Sequence, residues 1–344
     1  MGRDVFYFLS DFPFQLTWVI KSQTGIEKEK QLWIRKKSRK QNSSIDDKHG
    51  HITKDNLINL SNELSSLSDC DLIIETITED FQKKSDLFLE LDKILRPDTI
   101  IASNTSSISI RSLVQSMERI DRFVGLHFFY PVKFKNLVEV NILPETSVSV
   151  VEGISLMLKE MNRNYWLFPE ADHFIINRLF LPVQAEAYNI HKQENISFRL
   201  LDDLIKETLF PVGVFSFFDH VGIDVMYTSV SNYSSCYKDA DFLKPLTKAL
   251  GVMKDTNRLG VKSGQGFYNY SNEPPHKTLL QEENIDISQR KRIMERLLRS
   301  YLTTIFETVE KGILNQNVLE FIVMEYMAIE KSPFELAKEI GFTD

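Results

Sequence analysis

Short apolar segments alternate with helical segments over the first 126 residues, and this alternation predicts an α/β fold. Runs that are typical of buried strands are found at 14–20, 71–75, 99–102 and 122–126. Helices are predicted at 3–10, 26–40, 82–95 and 110–117. Strands that alternate with helices in this way are typical of a parallel sheet with helical crossovers.

The pattern changes after position 177, where only helices are predicted. Amphipathic segments at 177–189 and 197–208 precede a helix at 215–221, and the polar segment 271–275 predicts a linker. Helices follow again over 288–342.

This last helical region faintly repeats the region before it. Positions 334–342 match the pattern of 215–223, and Arg296 lies at nearly the same offset as Arg178. Two matches in one register favour an internal duplication over chance.

The composition limits the class of protein. The chain has 344 residues, of which 42% are hydrophobic, enough for two or three domains with buried cores. A formal net charge of −7 argues against a nucleic-acid-binding protein. The basic run at 35–40 is interpreted as a solvated helix face, and the alternative is that it contacts an anionic ligand. Cys70 and Cys236 lie far apart and outside any CxxC pair, so neither a disulfide framework nor a metal site is predicted.

Membrane attachment is not expected from the sequence. No segment has the length and apolar character of a membrane-spanning helix. The first twenty residues are rather apolar, but they contain Arg3, Asp4 and Asp11. Charges at these positions are not typical of a signal peptide. We therefore expect a soluble, cytoplasmic protein.

The candidate chemistry lies in the apolar segment Gly125–Pro131, which contains His127. Glu139 follows twelve residues later, and a histidine beside a carboxylate can be held in one tautomer as a general base. Upstream, the polar cluster Ser103–Ser107 directly follows the predicted strand at 99–102. A single histidine in an apolar strand is most often a core residue, but these three features together favour a catalytic site.

Five motifs follow one another along the chain. They are SNTSS at 103–107, GLHFFYP at 125–131, LVEV at 137–140, FIINR at 174–178 and GVKSGQGFY at 260–268. Together they resemble the L-3-hydroxyacyl-CoA dehydrogenase family, over nearly all of residues 1–270. The resemblance implies a Rossmann-like parallel-sheet domain followed by an all-α domain that is partly duplicated. The implied boundaries are 1–171 for a truncated NAD(P)-binding domain, 172–272 for the helical domain and 283–344 for its second, partial copy.

The resemblance also implies an activity and a set of site residues. Members of the family are oxidoreductases that interconvert L-3-hydroxyacyl and 3-oxoacyl thioesters, so we expect a CoA or acyl-carrier-protein substrate and NAD, or alternatively NADP. The implied catalytic residues are the general base His127, its partner Glu139, and Ser106 and Asn177 at the substrate. The implied cofactor-binding residues are Gly2, Glu79, Lys84, Ser106, Tyr130 and Lys262. Histidine is suited to removing the hydroxyl proton near neutral pH while hydride leaves the same carbon.

The sequence departs from the family pattern at the nucleotide-binding fingerprint. The family begins with a strand and a GxGxMG loop, whereas Met1-Gly2 aligns with the last two fingerprint positions, so we expect a sheet whose first strand is missing. Ile20 and Lys21 stand where an acidic residue is expected to bind the ribose, and Tyr130 replaces an asparagine. Two explanations stay open: an internal methionine taken as the start, or a paralogue that is a catalytically silent thioester-binding protein.

The predicted duplication also suggests how the chain assembles. In the family the helical domain is commonly the dimer contact. A second copy within one chain can occupy that surface internally, so a monomer is favoured over a homodimer.

Overall fold

The computed structural model describes residues 1–41, 58–115, 117–169, 174–270 and 285–342. The chain divides into two compact units, one of Met1–Thr105 with Ile110–Glu170 and one of Ser106–Ser109 with Ala171–Asp344. The first contains strands and helices and the second is built of helices, so the predicted fold class is confirmed. No helix in the described ranges is long and apolar enough to cross a membrane.

The α/β unit contains all the strands of the described chain. Its elements are α1 (Gly2–Leu9), β1 (Leu16–Val19), α2 (Gln23–Gln41), β2 (Ile58–Ser61), β3 (Leu72–Glu75), α3 (Phe81–Ile94), β4 (Ile100–Ser103), α4 (Ile110–Leu113), β5 (Phe123–Phe128), β6 (Leu137–Ile142), α5 (Val148–Glu160) and β7 (Asn164–Pro169). The predicted strands correspond to β1, β3, β4 and β5, whereas β2, β6 and β7 were not predicted. The helix predicted at 110–117 is only the short α4. The basic run at 35–40 is part of α2, and its side chains after Arg35 lie outside the described ones.

The strands form two separate sheets. β1 and β2 pair in parallel, and the second sheet has the order β3-β4-β5-β6-β7. Every pair in the second sheet is parallel except β5 with β6, which is antiparallel. The reason lies in the connection at 129–136, which is too short for the helical crossover that a parallel pair requires.

The second sheet has buried apolar residues on both faces, and Phe88 of α3 contacts Phe123 of β5 on the face opposite to the cluster described next. Val150, Ile154 and Leu158 are spaced by four along α5, so they form one apolar stripe. This stripe packs in one cluster with Val138 and Val140 of β6. All six residues of β5 are buried, which fits a central strand of a sheet.

The helical unit consists of eight α-helices in the described residues. They are α6 (Ile175–Glu194), α7 (Phe198–Thr208), α8 (Val214–Val221), α9 (Ile223–Tyr233), α10 (Lys244–Asp255), α11 (Ile287–Glu310), α12 (Gln316–Met327) and α13 (Pro333–Ile340). α8 and α13 end at Gly222 and Gly341, both with positive φ, at equivalent positions of the predicted repeat. The linker predicted at 271–275 lies outside the described residues. The exact domain boundaries stay a prediction.

A buried ion pair joins β3 to α3. Lys84 Nζ lies 2.7 Å from Glu75 Oε1, and the two side chains are 1% and 0% exposed. The Glu75 carboxylate also accepts hydrogen bonds from the Ser103 hydroxyl at 2.6 Å and from the Ile77 N–H at 2.6 Å. Burying two charges is costly unless each is paired and hydrogen-bonded, and here the carboxylate has three donors.

Lys84→Met should therefore lower the free energy of unfolding by about 3–5 kcal/mol, because it leaves the Glu75 carboxylate buried without its cation. Lys83→Met is the matched control, since Lys83 is exposed and pairs with the exposed Asp80. Urea denaturation of both variants measures the effect. Equal loss in the two variants would contradict a structural role of the buried pair.

Candidate functional site

His127 and Glu139 lie opposite each other on β5 and β6. The antiparallel register pairs the two residues directly, so their side chains project from the same face of the sheet. His127 Nδ1 is 3.6 Å from Glu139 Oε2, and the side chains are 6% and 0% exposed. This geometry directs Nδ1 towards the carboxylate and Nε2 away from it. A protonated imidazole would be stabilised in this position, as a general base requires after it has taken up a proton.

Asn104 fixes the end of the strand that carries His127. Its Oδ1 accepts a hydrogen bond from the Phe128 N–H at 2.9 Å, and its own N–H donates to the Glu75 carbonyl at 2.9 Å. Asn104 thus ties together the carboxyl ends of β3, β4 and β5. Because Phe128 directly follows His127, this bond restrains the backbone at the histidine.

Ser106 and Asn177 are connected within the helical unit through Tyr233. The buried Tyr233 hydroxyl contacts the Ser106 carbonyl and lies 3.1 Å from the Phe174 carbonyl. Phe174 is the N-cap residue of α6, and the half-buried Asn177 lies in the first turn of that helix. One phenol therefore anchors the backbone beside both of these predicted substrate-binding residues.

Gly2, Glu79 and Lys84 lie around the segment that follows β3. A Cβ at Gly2 would be 2.6 Å from Thr76 Oγ1, so the amino end of α1 approaches this segment closely. Lys84 Nζ is 3.5 Å from Glu79 Oε2, and the Thr105 hydroxyl donates to Glu79 Oε1 at 2.6 Å. Three of the predicted cofactor-binding residues are therefore at the carboxyl end of parallel strands, where open α/β sheets bind ligands.

Tyr130 and Lys262, the other predicted cofactor-binding residues, are on the surface of their units. Tyr130 is 66% exposed and lies in the connection between β5 and β6, three residues after His127. Lys262 forms an ion pair with Asp224, and both side chains are partly exposed. The position of Lys262 is therefore equally compatible with a solvated loop residue and with a ligand-binding residue.

The glycine-rich segment 260–268 has a structural role that the sequence did not indicate. Asp219 of α8 accepts hydrogen bonds from the N–H groups of Phe267 at 2.9 Å and Tyr268 at 2.8 Å. Asp202 of α7 accepts one from the Tyr268 hydroxyl at 2.8 Å. Burial raises the pKa of both carboxyl groups above the ordinary value, and these donors partly offset the effect.

Comparison with known proteins bears on the origin of this arrangement. Residues 1–166 match the family model described as "3-hydroxyacyl-CoA dehydrogenase, NAD binding domain", and residues 174–270 match "3-hydroxyacyl-CoA dehydrogenase, C-terminal domain". The mitochondrial hydroxyacyl-coenzyme A dehydrogenase of Sus scrofa is 33% identical over 251 residues, which are 73% of this chain and 79% of that protein. The chain belongs to the 3-hydroxyacyl-CoA dehydrogenase family.

Further relatives agree with this assignment, and the resemblance inferred from the motifs is confirmed. The 3-hydroxybutyryl-CoA dehydrogenase of Clostridioides difficile is 34% identical over 207 residues, 60% of this chain and 73% of that protein. The crystal structure of (S)-3-hydroxybutyryl-CoA dehydrogenase from Ralstonia eutropha has 26% identity and a TM-score of 0.68, covering 79% of this chain and 95% of that one. The Escherichia coli K12 3-hydroxybutyryl-CoA dehydrogenase structure shares the fold, with a TM-score of 0.80 at 18% identity over 99% of this chain and 89% of that one.

Several residues that hold the site in place were missed by the sequence reasoning. For Asn104, the available signal was its position directly after a strand, within a polar cluster. For Tyr233, Asp202 and Asp219 no sequence signal was available, because their partners lie far away along the chain. The family motif at 260–268 pointed to its lysine, whereas its Gly260 and Gly266 leave no room for a side chain beside Asp219.

Gly266→Ala should lower the free energy of unfolding by about 3 kcal/mol, because its Cβ would lie 1.9 Å from Asp219 Oδ1. Lys262→Met is the control within the same loop. It should change the stability little, since its ion pair is partly exposed. Thermal unfolding followed by circular dichroism measures both, and a Gly266→Ala protein as stable as Lys262→Met would contradict the structural role.

Proposed function

We propose that this chain is a dehydrogenase that interconverts L-3-hydroxyacyl and 3-oxoacyl thioesters of CoA, with His127 as general base. The observation that carries the proposal is the buried His127–Glu139 pair, held by direct register on adjacent strands. Family membership supports the substrate class, because the relatives named above are hydroxyacyl-CoA and hydroxybutyryl-CoA dehydrogenases. The alternative substrate is the same acyl group carried as a thioester by an acyl carrier protein.

The proposed chemistry gives each of the predicted catalytic residues one role. Nε2 of His127 takes the proton of the 3-hydroxyl group during oxidation and returns it during reduction. Glu139 holds the ring and stabilises the imidazolium. Ser106 and Asn177 align the substrate oxygen atoms, with their backbone positions fixed near Tyr233. Hydride transfer at carbon 3 is the chemistry that a bound nicotinamide supplies.

The proposed cofactor is a dinucleotide, bound by residues around β3. The match of residues 1–166 to the family's NAD-binding domain supports a nicotinamide cofactor. The amino end of α1 closely approaches the segment after β3, and helix amino ends favour phosphate groups. In this proposal Gly2 and Glu79 contact the cofactor, and the buried Lys84 holds Glu79 in position. We propose NAD as the cofactor, although Ile20 and Lys21 provide no carboxylate for its ribose at the end of β1.

A silent thioester-binding protein is the second candidate function. The same two residues, Ile20 and Lys21, favour it, because a carboxylate at this place is a main source of NAD affinity. The separation of β1–β2 from the second sheet also favours it. Catalysis therefore has to be measured and not only binding.

We also propose that the protein is a monomer. The support is the packing of α11 along α6, which lets two helical regions of one chain cover each other. Arg296 of α11 bonds to Glu186 at 2.7 Å and to Glu194 at 2.8 Å, and both carboxylates belong to α6.

The purified chain should oxidise NADH in the presence of acetoacetyl-CoA, and NADPH more slowly. His127→Ala should lower kcat by about 10²–10⁴-fold with little change in the KM for NADH, because it removes the proton donor and leaves the cofactor contacts. Absorbance at the nicotinamide wavelength measures both rates. A folded wild-type protein that binds acetoacetyl-CoA without turnover would identify the silent binder.

Glu139→Gln separates the role of the carboxylate from that of the histidine. We expect it to lower kcat by about 10–10³-fold while the protein still binds thioester, because the imidazolium loses its counter-charge. Glu145→Gln is the control, since Glu145 forms an exposed ion pair with Arg111. Equal kcat values for the Glu139→Gln and wild-type proteins would exclude the proposed partnership.

A further inference from the structure

A cavity of about 740 Å³ lies within the helical unit, among α6, α11 and the segment 236–242. This volume is in the range of sites for small organic molecules. None of its lining residues is among the predicted catalytic or cofactor-binding residues. Its wall combines apolar residues, among them Ile175, Leu179 and Phe242, with polar and charged ones.

Some of the charges in the cavity wall neutralise one another. Arg296 Nε donates to Glu186 Oε1 at 2.7 Å, and Lys311 pairs with Glu307 on the next turn of α11. Lys238 and Asp239 carry opposite charges at adjacent positions of the wall. These groups contribute little net charge to the cavity.

Two arginines in the wall, Arg178 and Arg299, contact aromatic rings instead of carboxylates. The guanidinium of the half-buried Arg178 lies 5.5 Å from the centre of the Tyr237 ring, and that of Arg299 lies 5.6 Å from the centre of the Phe342 ring. Among the described residues, no carboxylate forms an ion pair with either of them. Both cations are therefore held against aromatic rings, with their hydrogen-bond donors not used by a carboxylate.

The predicted repeat makes the contrast between two of the arginines sharper. Arg178 of α6 and Arg296 of α11 are at nearly equivalent positions of the repeat, and both line the cavity. Arg296 is saturated by Glu186, Glu194 and Gln193, and so fastens α11 to α6. No such set of acceptors surrounds Arg178 in the described part of the chain, so the same residue type has a different role in each copy.

We propose that this cavity binds a small organic anion, in which an acid group is joined to a compact apolar body. Arg178 and Arg299 bind the acid group, because a guanidinium presents a planar fork of donors to carboxylate or phosphate oxygens. Thr303 provides a hydroxyl group in the same wall, and Phe242 with Leu179 contacts the apolar body. The site lies within the helical unit and does not depend on the proposed dehydrogenase activity.

The test is calorimetric titration of the full chain with hexanoate and with hexyl phosphate, which distinguishes a carboxylate from a phosphate ligand. Hexanamide is the neutral probe of the same length. We expect saturable binding of at least one acid and affinity for hexanamide at least about tenfold lower, since charge-assisted hydrogen bonds are lost. Absence of saturable binding of both acids, or hexanamide binding as tightly as the acids, would overturn the proposal.

Variants locate the binding site. Arg178→Met and Arg299→Met should each raise the Kd of the acid about tenfold or more, and Arg299 is exposed, so its replacement does not threaten folding. Arg290→Met is the control, because Arg290 lies on the same helix outside the cavity and pairs with Glu207. The Arg290→Met and His127→Ala proteins should both bind the acid with the wild-type Kd. Equal affinity in Arg299→Met and Arg290→Met would overturn the assignment to this cavity.

Discussion

The register between β5 and β6 is the constraint on which the proposed catalytic centre depends. Direct antiparallel pairing puts His127 and Glu139 on one face at one position, where their side chains meet in the interior. A slip of one residue would turn one of the two side chains to the opposite face of the sheet. The register is protected on both sides, because β4 and β7 pair with the outer edges of these strands. Asn104 adds a side-chain bond to Phe128 at the end of β5.

Buried carboxylates have a second, wider role in this protein. Glu75 joins β3 to α3 and β4, while Asp202 and Asp219 join α7 and α8 to the segment 260–268. Each accepts several hydrogen bonds, which offsets the cost of removing a charge from water. The connections between these elements are therefore directional hydrogen bonds, whereas the apolar packing around them is not directional. This explains why glycines are required beside Asp219, where a side chain would displace its donors.

The sequence predicted those parts of the fold that depend on local pattern. β3 and β4 are continuous apolar runs and α8 has a clear helical face, so their positions followed from the residues alone. β6 could not be predicted in the same way, because its residues Glu139 and Asn141 interrupt the apolar run and are buried only by its neighbours. The motifs identified Glu139 through the family, but the sequence does not give the register that pairs it with His127. The burial of Lys84 against Glu75 likewise depends on how α3 returns to β3.

The short connection at 129–136 also has a consequence for how the molecule acquires its catalytic pair. Contacts between β3 and β4, or between β4 and β5, must close loops that each contain a helix, whereas β5 and β6 are joined by a local hairpin. The entropy lost in closing a loop grows with its length, so the hairpin contact has the smaller barrier. His127 and Glu139 are thus able to meet early in folding, before the remainder of the sheet is assembled around them.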